Sequence, residues 1–450
     1  MISRLLAKRH GEGKPIRVGI IGTGKFGGGL AVQISRMKGM TVAAIADIRL
    51  ENARHAYTVA YGDIETVEAD NKATLEAAVQ AGKAAVTPDG LLLAQADGID
   101  VVVEATGIPE VGARMAYEVL SNGKHLVMVN VETDVTIGAY LRRMADRAGV
   151  VYSLVDGDQP GVTMNILEWG YALGFEVVAA GRGTILFPDD PAGTPDGVPA
   201  RFGFNAEMIE RRRINLKMYN SFRDGTKAQV EAVAIGNMAG LVPDVRGMHE
   251  PRCNLADIPQ KFCLEEEGGL LSRRGVIELA NSVAEDGKTM LENPLKMGVF
   301  AVLRTDHPFV AEDLKSYYVL PGGDGNNFLL YRPYHLVAVE APLTIARAAL
   351  YGMPTGAPRP VPSAEVIAVA KRDLKAGETL DGGGGYTVNG LAEKAVVARD
   401  EGLLPLGLSG GAVLKRDLKK GEAVPCAAVD PVEDSFVAEL RRRQDAEVWG

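Results

Sequence analysis

Residues 16–27 read IRVGIIGTGKFG, an apolar run that leads directly into a glycine-rich turn. The run Ile16–Ile21 is short and rich in β-branched side chains, which predicts a buried strand. After the turn, apolar side chains recur at Leu30, Ile34 and Met37, the spacing of an amphipathic helix. A strand, a glycine turn and a helix in this order indicate the first unit of a doubly wound α/β sheet.

The glycine turn has the spacing of a dinucleotide-binding fingerprint, and its residues are Gly22, Thr23, Gly24, Lys25, Phe26 and Gly27. We expect Gly22 to permit the tight turn and Gly24 to let a pyrophosphate approach the backbone. Gly27 would let the helix pack closely on the strand. The phosphates would then face the free N–H groups at the helix N-terminus. The sequence therefore predicts a Rossmann domain that binds a nicotinamide dinucleotide.

An acidic residue, Asp47, ends the second predicted strand (41–46). A carboxylate at this position accepts hydrogen bonds from the adenosine ribose hydroxyls, which favours NAD. Arg49 follows two residues later and offers a cation for the 2′-phosphate of NADP, or is simply a solvated side chain. The residues alone leave the choice between NAD and NADP open.

Further strands at 100–104, 125–130 and 150–154 alternate with helical patterns, which indicates a parallel sheet. Ala105, Thr106 and Gly107 follow one strand end and are expected to contact the nicotinamide half of the cofactor. Asn130 ends the next strand at the same edge of the sheet. It is either a cofactor and substrate contact or ordinary turn chemistry.

The chain has 450 residues, which predicts several domains. We place a Rossmann NAD(P)-binding domain at 1–155 and a central α+β catalytic and dimerisation domain at 156–355. The run PTGAPRPVP (354–362) predicts a linker before a small β-rich domain at 356–450. In that last domain KRDLKAGE (371–378) recurs as KRDLKKGE (415–422), which indicates two related hairpins.

A net charge of -9 and a pI near 5.4 disfavour nucleic acid and anionic membranes as partners. No run has the roughly 20 apolar residues of a membrane helix, and the N-terminus lacks the apolar core of a secretory signal. Three cysteines, an odd number at wide spacing, indicate reduced thiols. We therefore expect a cytoplasmic protein.

The chemistry is expected in the central region, where RRRINLKMYNSFRDGTKAQVE (211–231) is dense in polar groups. Lys217, Asp224, Lys227 and Glu231 are the candidate catalytic residues. If one helix includes 224–231, the last three share a face. A lysine there binds a phosphate or polarises a carbonyl, and the carboxylates transfer protons or hold a metal. The alternative is a salt-bridged surface helix, and the arginine run 211–213 is a solvated face.

Candidate substrate contacts also lie in loops. DGDQPG (156–161) presents Asp158 and Gln159, and PGGDGNN (321–327) presents Asn326. Both loops are equally consistent with plain turns. His307 precedes a proline and is an acid–base candidate, with a structural hydrogen-bonding role as the alternative.

The first 155 residues resemble homoserine dehydrogenases through GTGKFG, Asp47, DVVVEATG (100–107) and GKHLVMVN (123–130). This chain has Val131 and Glu132 where that family usually carries a lysine. DGDQPG, NSFRDGTKAQVEA (220–232), LPGGDGNNFLLYRPYHLVAVEAPLTIA (320–346) and the C-terminal repeat resemble oxidoreductases with a C-terminal SAF domain. Within that group the chain is similar to reductoisomerase-like enzymes that convert 1-deoxy-D-xylulose 5-phosphate to 2-C-methyl-D-erythritol 4-phosphate, a step of isoprenoid precursor synthesis.

This resemblance implies NADPH, a divalent metal (Mg or Mn), a phosphorylated sugar substrate and a homodimer. In such a reaction a metal assists a carbon-skeleton rearrangement before hydride transfer. Lys217 and Lys227 would bind the phosphate, and Asp224, Glu231, Glu132 and Asp158 are candidates for metal or proton-transfer groups. No motif fixes the metal ligands. Two alternatives stay open. One is a plain dehydrogenase of a hydroxy acid or sugar-acid derivative. The other is a dinucleotide-sensing regulatory protein without turnover, which the Lys- and Arg-bearing repeats of the C-terminal domain favour.

Overall fold

The computed structural model describes residues 1–212 and 214–450, so Arg213, the last residue of the arginine run, lies outside the described residues. The described chain forms two units. The first unit contains Met1–Gly161, Leu336–Pro360 and Phe436–Gly450. The second unit contains Val162–His335 and Val361–Ser435.

The helices, in chain order, are α1 (Ile2–Gly11), α2 (Lys25–Ser35), α3 (Leu50–Tyr61), α4 (Lys72–Gln80), α5 (Gly90–Gln95), α6 (Pro109–Ser121), α7 (Val131–Ala148), α8 (Gln159–Ala172), α9 (Val198–Phe202), α10 (Ala206–Arg212), α11 (Leu216–Arg223), α12 (Thr226–Ala239), α13 (Ile258–Lys261), α14 (Pro308–Ser316), α15 (Val337–Tyr351), α16 (Ala395–Asp400) and α17 (Phe436–Trp449). Within the described ranges, none of them is long and apolar enough to cross a membrane.

The strands are β1 (Ile16–Ile21), β2 (Met40–Ala46), β3 (Thr66–Glu68), β4 (Ala84–Thr87), β5 (Val101–Glu104), β6 (His125–Met128), β7 (Tyr152–Leu154), β8 (Glu176–Thr184), β9 (Val242–Pro243), β10 (Val276–Asn281), β11 (Val299–Arg304), β12 (Leu320–Gly322), β13 (Asn327–Arg332), β14 (Ala364–Ala370), β15 (Val388–Lys394), β16 (Val413–Leu414) and β17 (Val429–Asp430).

The first unit is built on a seven-stranded parallel sheet in the order β3-β4-β2-β1-β5-β6-β7. The chain starts in the middle of the sheet and extends first to one side and then to the other, which confirms the predicted Rossmann fold. Strands β3 and β4 are absent from the sequence-based prediction. Both are short, and the alanine-rich run of β4 carries little β propensity.

Two later segments return to the first unit. Helix α15 packs on α2, and a Cβ on Gly29 of α2 would lie only 3.1 Å from Ala338 Cβ. Helix α17 packs on α6 and α7, where the Gln444 side chain accepts a hydrogen bond from Tyr140 N at 3.0 Å. This grouping differs from the predicted three-domain division, because a helical pattern predicts a buried face but not the element that buries it.

The second unit is built on a six-stranded mixed sheet in the order β12-β13-β11-β8-β10-β9. Its β8–β10 and β10–β9 pairs are parallel, and the others are antiparallel. Helix α12 contacts β8, β9 and β10. An apolar core lies at this sheet, where the Phe262 and Phe300 rings stack with centroids 5.1 Å apart. The expected α+β character of the central region is therefore present.

Residues 361–435 form a β-rich module within the second unit, with the antiparallel pairs β14–β15 and β16–β17. The two copies of the repeat meet at an antiparallel bridge between Leu374 and Leu418. Lys375 Nζ lies 2.6 Å from an Asp417 oxygen, and Lys419 Nζ lies 3.0 Å from an Asp373 oxygen. The charges of each copy thus pair with those of the other.

Candidate functional site

The glycine turn joins β1 to α2, and two of its glycines are required by the backbone. Gly22 has φ +91°, and a Cβ there would lie 3.0 Å from the Ala105 carbonyl oxygen. A Cβ on Gly27 would lie 2.0 Å from the Gly22 carbonyl oxygen, which is a steric clash. Both positions therefore need glycine for the turn itself, as the fingerprint predicts.

Gly24 is different, because an added Cβ would meet no described residue within 4 Å apart from its own neighbours in the chain. It is the N-terminal cap of the eleven-residue helix α2, whose first N–H groups carry the positive end of the helix dipole. An open approach to these N–H groups suits an anionic pyrophosphate. Beside it, Lys25 is exposed, whereas Phe26 is partly buried against the core and so supports the turn by packing.

Asp47 lies directly after β2 and is hydrogen-bonded to the glycine turn. Thr23 donates to Asp47 Oδ2 from its backbone N at 3.0 Å and from its hydroxyl at 2.6 Å. Arg49 N and Asn52 Nδ2 donate to Asp47 Oδ1 at 3.0 and 3.3 Å. Burial alone would raise the pKa of Asp47, but these hydrogen bonds outweigh it and lower the pKa. The carboxylate is thus ionised at neutral pH, and the exposed Arg49 contributes its backbone N–H to it.

The segment after β5 is held by a buried glutamate. Glu104 accepts a hydrogen bond from Thr106 N at 2.8 Å and a second one from the Thr106 hydroxyl. Ala105 N donates to Ile21 O at 2.9 Å, and Gly107 adopts φ +69°. Burial raises the pKa of Glu104, while the bonds from Thr106 oppose that change. Ala105, Thr106 and Gly107 therefore lie beside the glycine turn, where cofactor contacts were predicted.

Asn130 caps helix α7, because its side-chain oxygen accepts a hydrogen bond from Thr133 N at 3.1 Å. The turn-chemistry alternative for Asn130 is therefore realised in the structure. Glu132 lies in the first turn of α7 and is partly exposed. A nearby buried pair is Asp134 and Tyr152, whose hydroxyl donates to Asp134 Oδ1 at 2.7 Å. Burial raises the pKa of Asp134 to about 7.

Asp158 and Gln159 are buried at the start of α8, and Gln159 N donates to Asp158 Oδ1 at 3.1 Å. The loop before them is closely packed, because Gly157 has φ +85° and a Cβ there would lie 2.6 Å from Leu336 O. This packing is what the plain-turn interpretation predicts. A substrate contact by either side chain stays a prediction.

The structure corrects the expected helix face of Asp224, Lys227 and Glu231. Helix α11 ends at Arg223 and α12 begins at Thr226, so Asp224 lies between the two helices. Lys371 Nζ donates to Asp224 Oδ2 at 2.7 Å and to the carbonyl oxygens of Gly193 at 2.9 Å and Gly385 at 2.8 Å. Burial raises the pKa of Asp224, and Lys371 opposes it. This ion pair binds the C-terminal module to the rest of its unit.

The other polar residues of this motif also have protein partners. Asn220 Nδ2 donates to the carbonyl oxygens of Gly193 and Gly384 at 3.0 and 2.9 Å. Lys217 donates to the carbonyl oxygen of Asp381. The sequence could not assign these contacts, because they join residues far apart in the chain. These contacts give the polar residues of the motif a structural role. The catalytic role of the motif stays a prediction.

Glu231 and Lys227 lie one turn apart on α12. Glu231 is buried and forms an ion pair with Arg182 of β8, which is equally buried. Lys227 is partly buried. In the arginine run, Arg211 is exposed and pairs with Glu207 at 3.6 Å, as the solvated-face interpretation predicts.

Asn326 and His307 lie at turns. Asn326 donates from its backbone N and its Nδ2 to Asp324 at 3.1 and 3.2 Å. Asp324 in turn accepts two hydrogen bonds from Arg304, which is the largest of the effects that lower the pKa of Asp324 to about 2. His307 is exposed and precedes Pro308 at the start of α14. The contacts of Asn326 match its plain-turn alternative, whereas both the acid–base role and the structural role of His307 stay predictions.

The sequence analysis missed His249, which lies in the loop between β9 and β10. His249 Nδ1 lies 2.6 Å from Glu278 Oε1, and His249 N donates to Glu278 Oε2 at 3.1 Å. Its neighbours Met248 and Glu250 have φ +67° and +46°. A left-handed backbone conformation costs about 1–2 kcal/mol for a residue other than glycine, and strain of this kind concentrates at functional sites. The sequence signal is only a histidine inside a short loop bounded by Gly247 and Pro251.

Glu250 adds a second carboxyl group to this loop, and its Oε1 accepts a hydrogen bond from the Thr184 hydroxyl at 2.6 Å. Burial raises the pKa of Glu250 to about 7. Glu278 lies close enough to raise this pKa further, and Arg182 close enough to lower it. The end of β8, β10 and the loop 244–250 thus bring together several ionisable groups of the second unit.

The predicted divalent metal is not supported by the donor groups. Within residues 1–212 and 214–450, no cluster of three or more His, Cys, Asp or Glu side chains is arranged to hold a metal ion. Asp224 and Glu231 instead pair with Lys371 and Arg182.

Two family models match adjacent parts of the chain. Residues 22–153 match the model described as homoserine dehydrogenase, NAD binding domain. Residues 157–341 match the model described as oxidoreductase DRL, catalytic domain. Neither covers the C-terminal module, so the SAF-like assignment stays a prediction.

A homoserine dehydrogenase of Methylobacillus glycogenes is 33% identical over 126 residues, which are 26% of this chain. The match spans 25% of that relative's length. Among solved structures, a myo-inositol dehydrogenase from Lactobacillus casei in complex with NAD(H) and myo-inositol is 14% identical, with 72% of this chain and 68% of that chain covered and a TM-score of 0.32. A 3-ketoreductase from Actinomadura kijaniata with NADP is 19% identical, with 39% and 50% covered and a TM-score of 0.25.

The predicted reductoisomerase is wrong. The cofactor domain matches that of homoserine dehydrogenases, and the next segment matches an oxidoreductase catalytic domain. The predicted carbon-skeleton rearrangement and the predicted role in isoprenoid synthesis depended on the reductoisomerase assignment and are not supported either. The matches support the alternative given with it, an NAD(P)-dependent oxidoreductase similar to the homoserine dehydrogenases in its cofactor domain.

Proposed function

We propose that this protein is an NAD-dependent dehydrogenase that interconverts a hydroxyl and a carbonyl group on a hydroxy acid or sugar-acid derivative. The observation that carries this proposal is the cofactor half-site. Gly24 leaves the N-terminus of α2 open, and Asp47 is fixed beside the same turn. A match to an oxidoreductase catalytic domain follows directly in the chain.

The preference for NAD over NADP rests on the charge of Asp47. Its hydrogen bonds with Thr23 keep the carboxylate ionised, and an ionised carboxylate accepts hydrogen bonds from ribose hydroxyls. The same charge repels a 2′-phosphate. NADPH was implied by the resemblance to reductoisomerases, which no longer applies. The phosphorylated sugar and the homodimer stay predictions.

The regulatory alternative loses the feature that favoured it. That alternative depended on the Lys- and Arg-bearing repeats of the C-terminal module. In the structure Lys375 of the first copy of the repeat pairs with Asp417 of the second copy, and Lys419 of the second copy pairs with Asp373 of the first. These side chains support the fold of the module, so the repeats no longer favour a sensor over an enzyme.

The test is a substrate screen with NAD⁺ and, separately, NADP⁺. The panel contains homoserine, other short hydroxy acids, aldonic acids and inositols, and nicotinamide reduction is followed by absorbance. We expect reduction of NAD⁺ with at least one hydroxy compound and the corresponding carbonyl product by NMR. Gly24→Ala is the matched control, because its methyl group would occupy the space open to the pyrophosphate. A protein that binds neither dinucleotide would contradict the proposal.

A further inference from the structure

A fully buried glutamate ends β5 beside the glycine turn of the first unit. Glu104 is the last residue of that strand, and it pairs with Ile21, the residue before the turn. Its Oε1 accepts a hydrogen bond from Thr106 N at 2.8 Å and a second one from the Thr106 hydroxyl. Two bonds to one residue fix both its backbone and its side chain. The carboxylate therefore sets the course of the chain where it leaves the sheet.

The segment held in this way packs on the glycine turn on one side and is open on another. Ala105 N donates to Ile21 O at 2.9 Å. A Cβ on Gly22 would lie 3.0 Å from Ala105 O and 3.2 Å from Thr106 N. By contrast, an added Cβ on the exposed Gly107 would meet no described residue within 4 Å apart from its own neighbours in the chain. The segment is thus fixed against the turn and accessible to a ligand.

The strand order indicates which half of a dinucleotide this segment would meet. Strands β2 and β5 flank β1 on opposite sides, and all three are parallel. Asp47 follows β2, where the adenosine ribose binds in a Rossmann domain, and the pyrophosphate lies at the glycine turn. The other half of the dinucleotide, which carries the nicotinamide, then extends towards the end of β5.

The second oxygen of Glu104 faces an amide group. Asn130 Oδ1 accepts a hydrogen bond from Thr133 N at 3.1 Å, so the atom that Asn130 turns to Glu104 is the donor Nδ2. A Cβ on Gly112 would lie 2.6 Å from Asn130 Nδ2 and 3.2 Å from Glu104 Oε2, so both atoms border the space that this glycine leaves. Apart from each other, these two atoms have no hydrogen-bond partner among the described residues.

Donors on both sides leave Glu104 without an isosteric substitute. Burial is the largest effect on the pKa of Glu104 and raises it, whereas the donors of Thr106 and Asn130 lower it. Glu104→Gln would direct an amide group either at Thr106 N or at Asn130 Nδ2, and each arrangement places two donors against each other. The Asn130 side chain is not free to turn over, because its Oδ1 caps α7. Glu104→Gln therefore weakens the hold on the segment although it keeps the shape of the side chain.

We propose that Glu104 is a positioning residue for the nicotinamide half of the dinucleotide. It holds residues 105–107 against the glycine turn through Thr106, and Asn130 keeps its second oxygen in place. This inference rests on the proposed function, because it assumes a dinucleotide in the first unit.

The experiment compares NADH with ADP-ribose, which contains the adenosine and the pyrophosphate but lacks the nicotinamide. The wild type, Glu104→Gln, Asn130→Asp and the double variant are titrated with both ligands by calorimetry. We expect Glu104→Gln to raise the Kd of NADH by about 10-fold and to leave the Kd of ADP-ribose within about twofold, as for the loss of one hydrogen bond to a charged group. The double variant exchanges the carboxylate and the amide between the two positions. A donor and an acceptor then face each other again, and most of the NADH affinity should return.

The matched control is Asp134→Asn, which also converts a buried carboxyl group of the first unit to an amide. The partner of Asp134 is the Tyr152 hydroxyl rather than the segment after β5. This control should change the unfolding midpoint but not the ratio of the two Kd values. A second variant, Thr106→Val, removes one of the two donors to Glu104 Oε1 and keeps the carboxylate, so it tests the same contact if Glu104→Gln does not fold. It should raise the Kd of NADH relative to that of ADP-ribose.

The inference is overturned if folded Glu104→Gln and Thr106→Val keep the wild-type ratio of the two Kd values. It is also overturned if Glu104→Gln weakens both ligands equally, or if the double variant binds NADH no better than Glu104→Gln does. A wild type that does not bind NADH would instead contradict the proposed function. The two claims therefore fail by different results.

Discussion

Replacing Lys371 by methionine removes a buried ammonium group that three oxygens surround. Lys371 Nζ lies 2.7 Å from Asp224 Oδ2 and within 2.9 Å of two carbonyl oxygens, and its side chain is 2% exposed. Methionine keeps most of the side-chain volume but leaves the Asp224 carboxylate buried without its cation. Breaking such a pair costs about 3–5 kcal/mol.

At roughly 2–4 °C per kcal/mol for a unit of this size, the loss corresponds to about 6–20 °C in the Tm of the second unit. The chain has two tryptophans, Trp169 in the second unit and Trp449 in the first. A Trp449→Phe background therefore lets Trp169 fluorescence report unfolding of the second unit alone.

The matched control is Lys375→Met, which breaks a lysine–aspartate pair whose side chains are 73% and 57% exposed. It is expected to cost about 1 kcal/mol or less. Adding Asp224→Asn to Lys371→Met removes the uncompensated charge and should restore part of the stability. Equal effects of the Lys371 and Lys375 substitutions would refute the structural role of the buried pair.

Three further predictions concern the first unit. Asp47→Asn should weaken NADH binding by about 10–100-fold and reduce the preference for NADH over NADPH, because the charged acceptor for the ribose hydroxyls is lost. Titration of the variant with both dinucleotides measures this, and unchanged selectivity would contradict it. Gly24→Ala should keep the unfolding midpoint of the wild type but lose NADH affinity. Gly27→Ala should lower the unfolding midpoint, since its Cβ would lie 2.0 Å from a carbonyl oxygen. Equal unfolding midpoints of the two variants would contradict this prediction. Asp134 has a pKa of about 7 in the folded protein against an ordinary value of 3.8, so between these two pH values the folded state binds a proton that the unfolded state has lost. The free energy of unfolding should therefore fall as pH rises from 3.8 to about 7, by at most about 1.4 kcal/mol per pH unit. Urea unfolding should show a flatter pH dependence for Asp134→Asn, and parallel curves would contradict the assignment.

The sequence predicted the strand, glycine turn and helix of the first unit well because their determinants are local. Strand β1 spans Ile16–Ile21 as predicted, and Asp47 meets the glycine turn through Thr23. Each feature here depends on a few consecutive residues and on the order strand, turn, helix. The Rossmann topology follows from the same alternation.

The second unit was predicted poorly because its polar residues act across long separations. Asp224 and Lys371 are 147 residues apart, and the sequence pattern shows two charged residues but not their pairing. His249 and Glu278 are separated by 29 residues and belong to no recognised motif. A dense polar motif therefore indicated catalysis where the structure shows contacts that hold the unit together.

We propose that the first unit binds NAD through the open N-terminus of α2 and through Asp47. Calorimetric titration of the wild-type protein with NADH and, separately, with NADPH measures this binding. We expect saturable binding of NADH with a lower Kd than that of NADPH. Binding of neither dinucleotide, or tighter binding of NADPH, would show that the proposal is wrong.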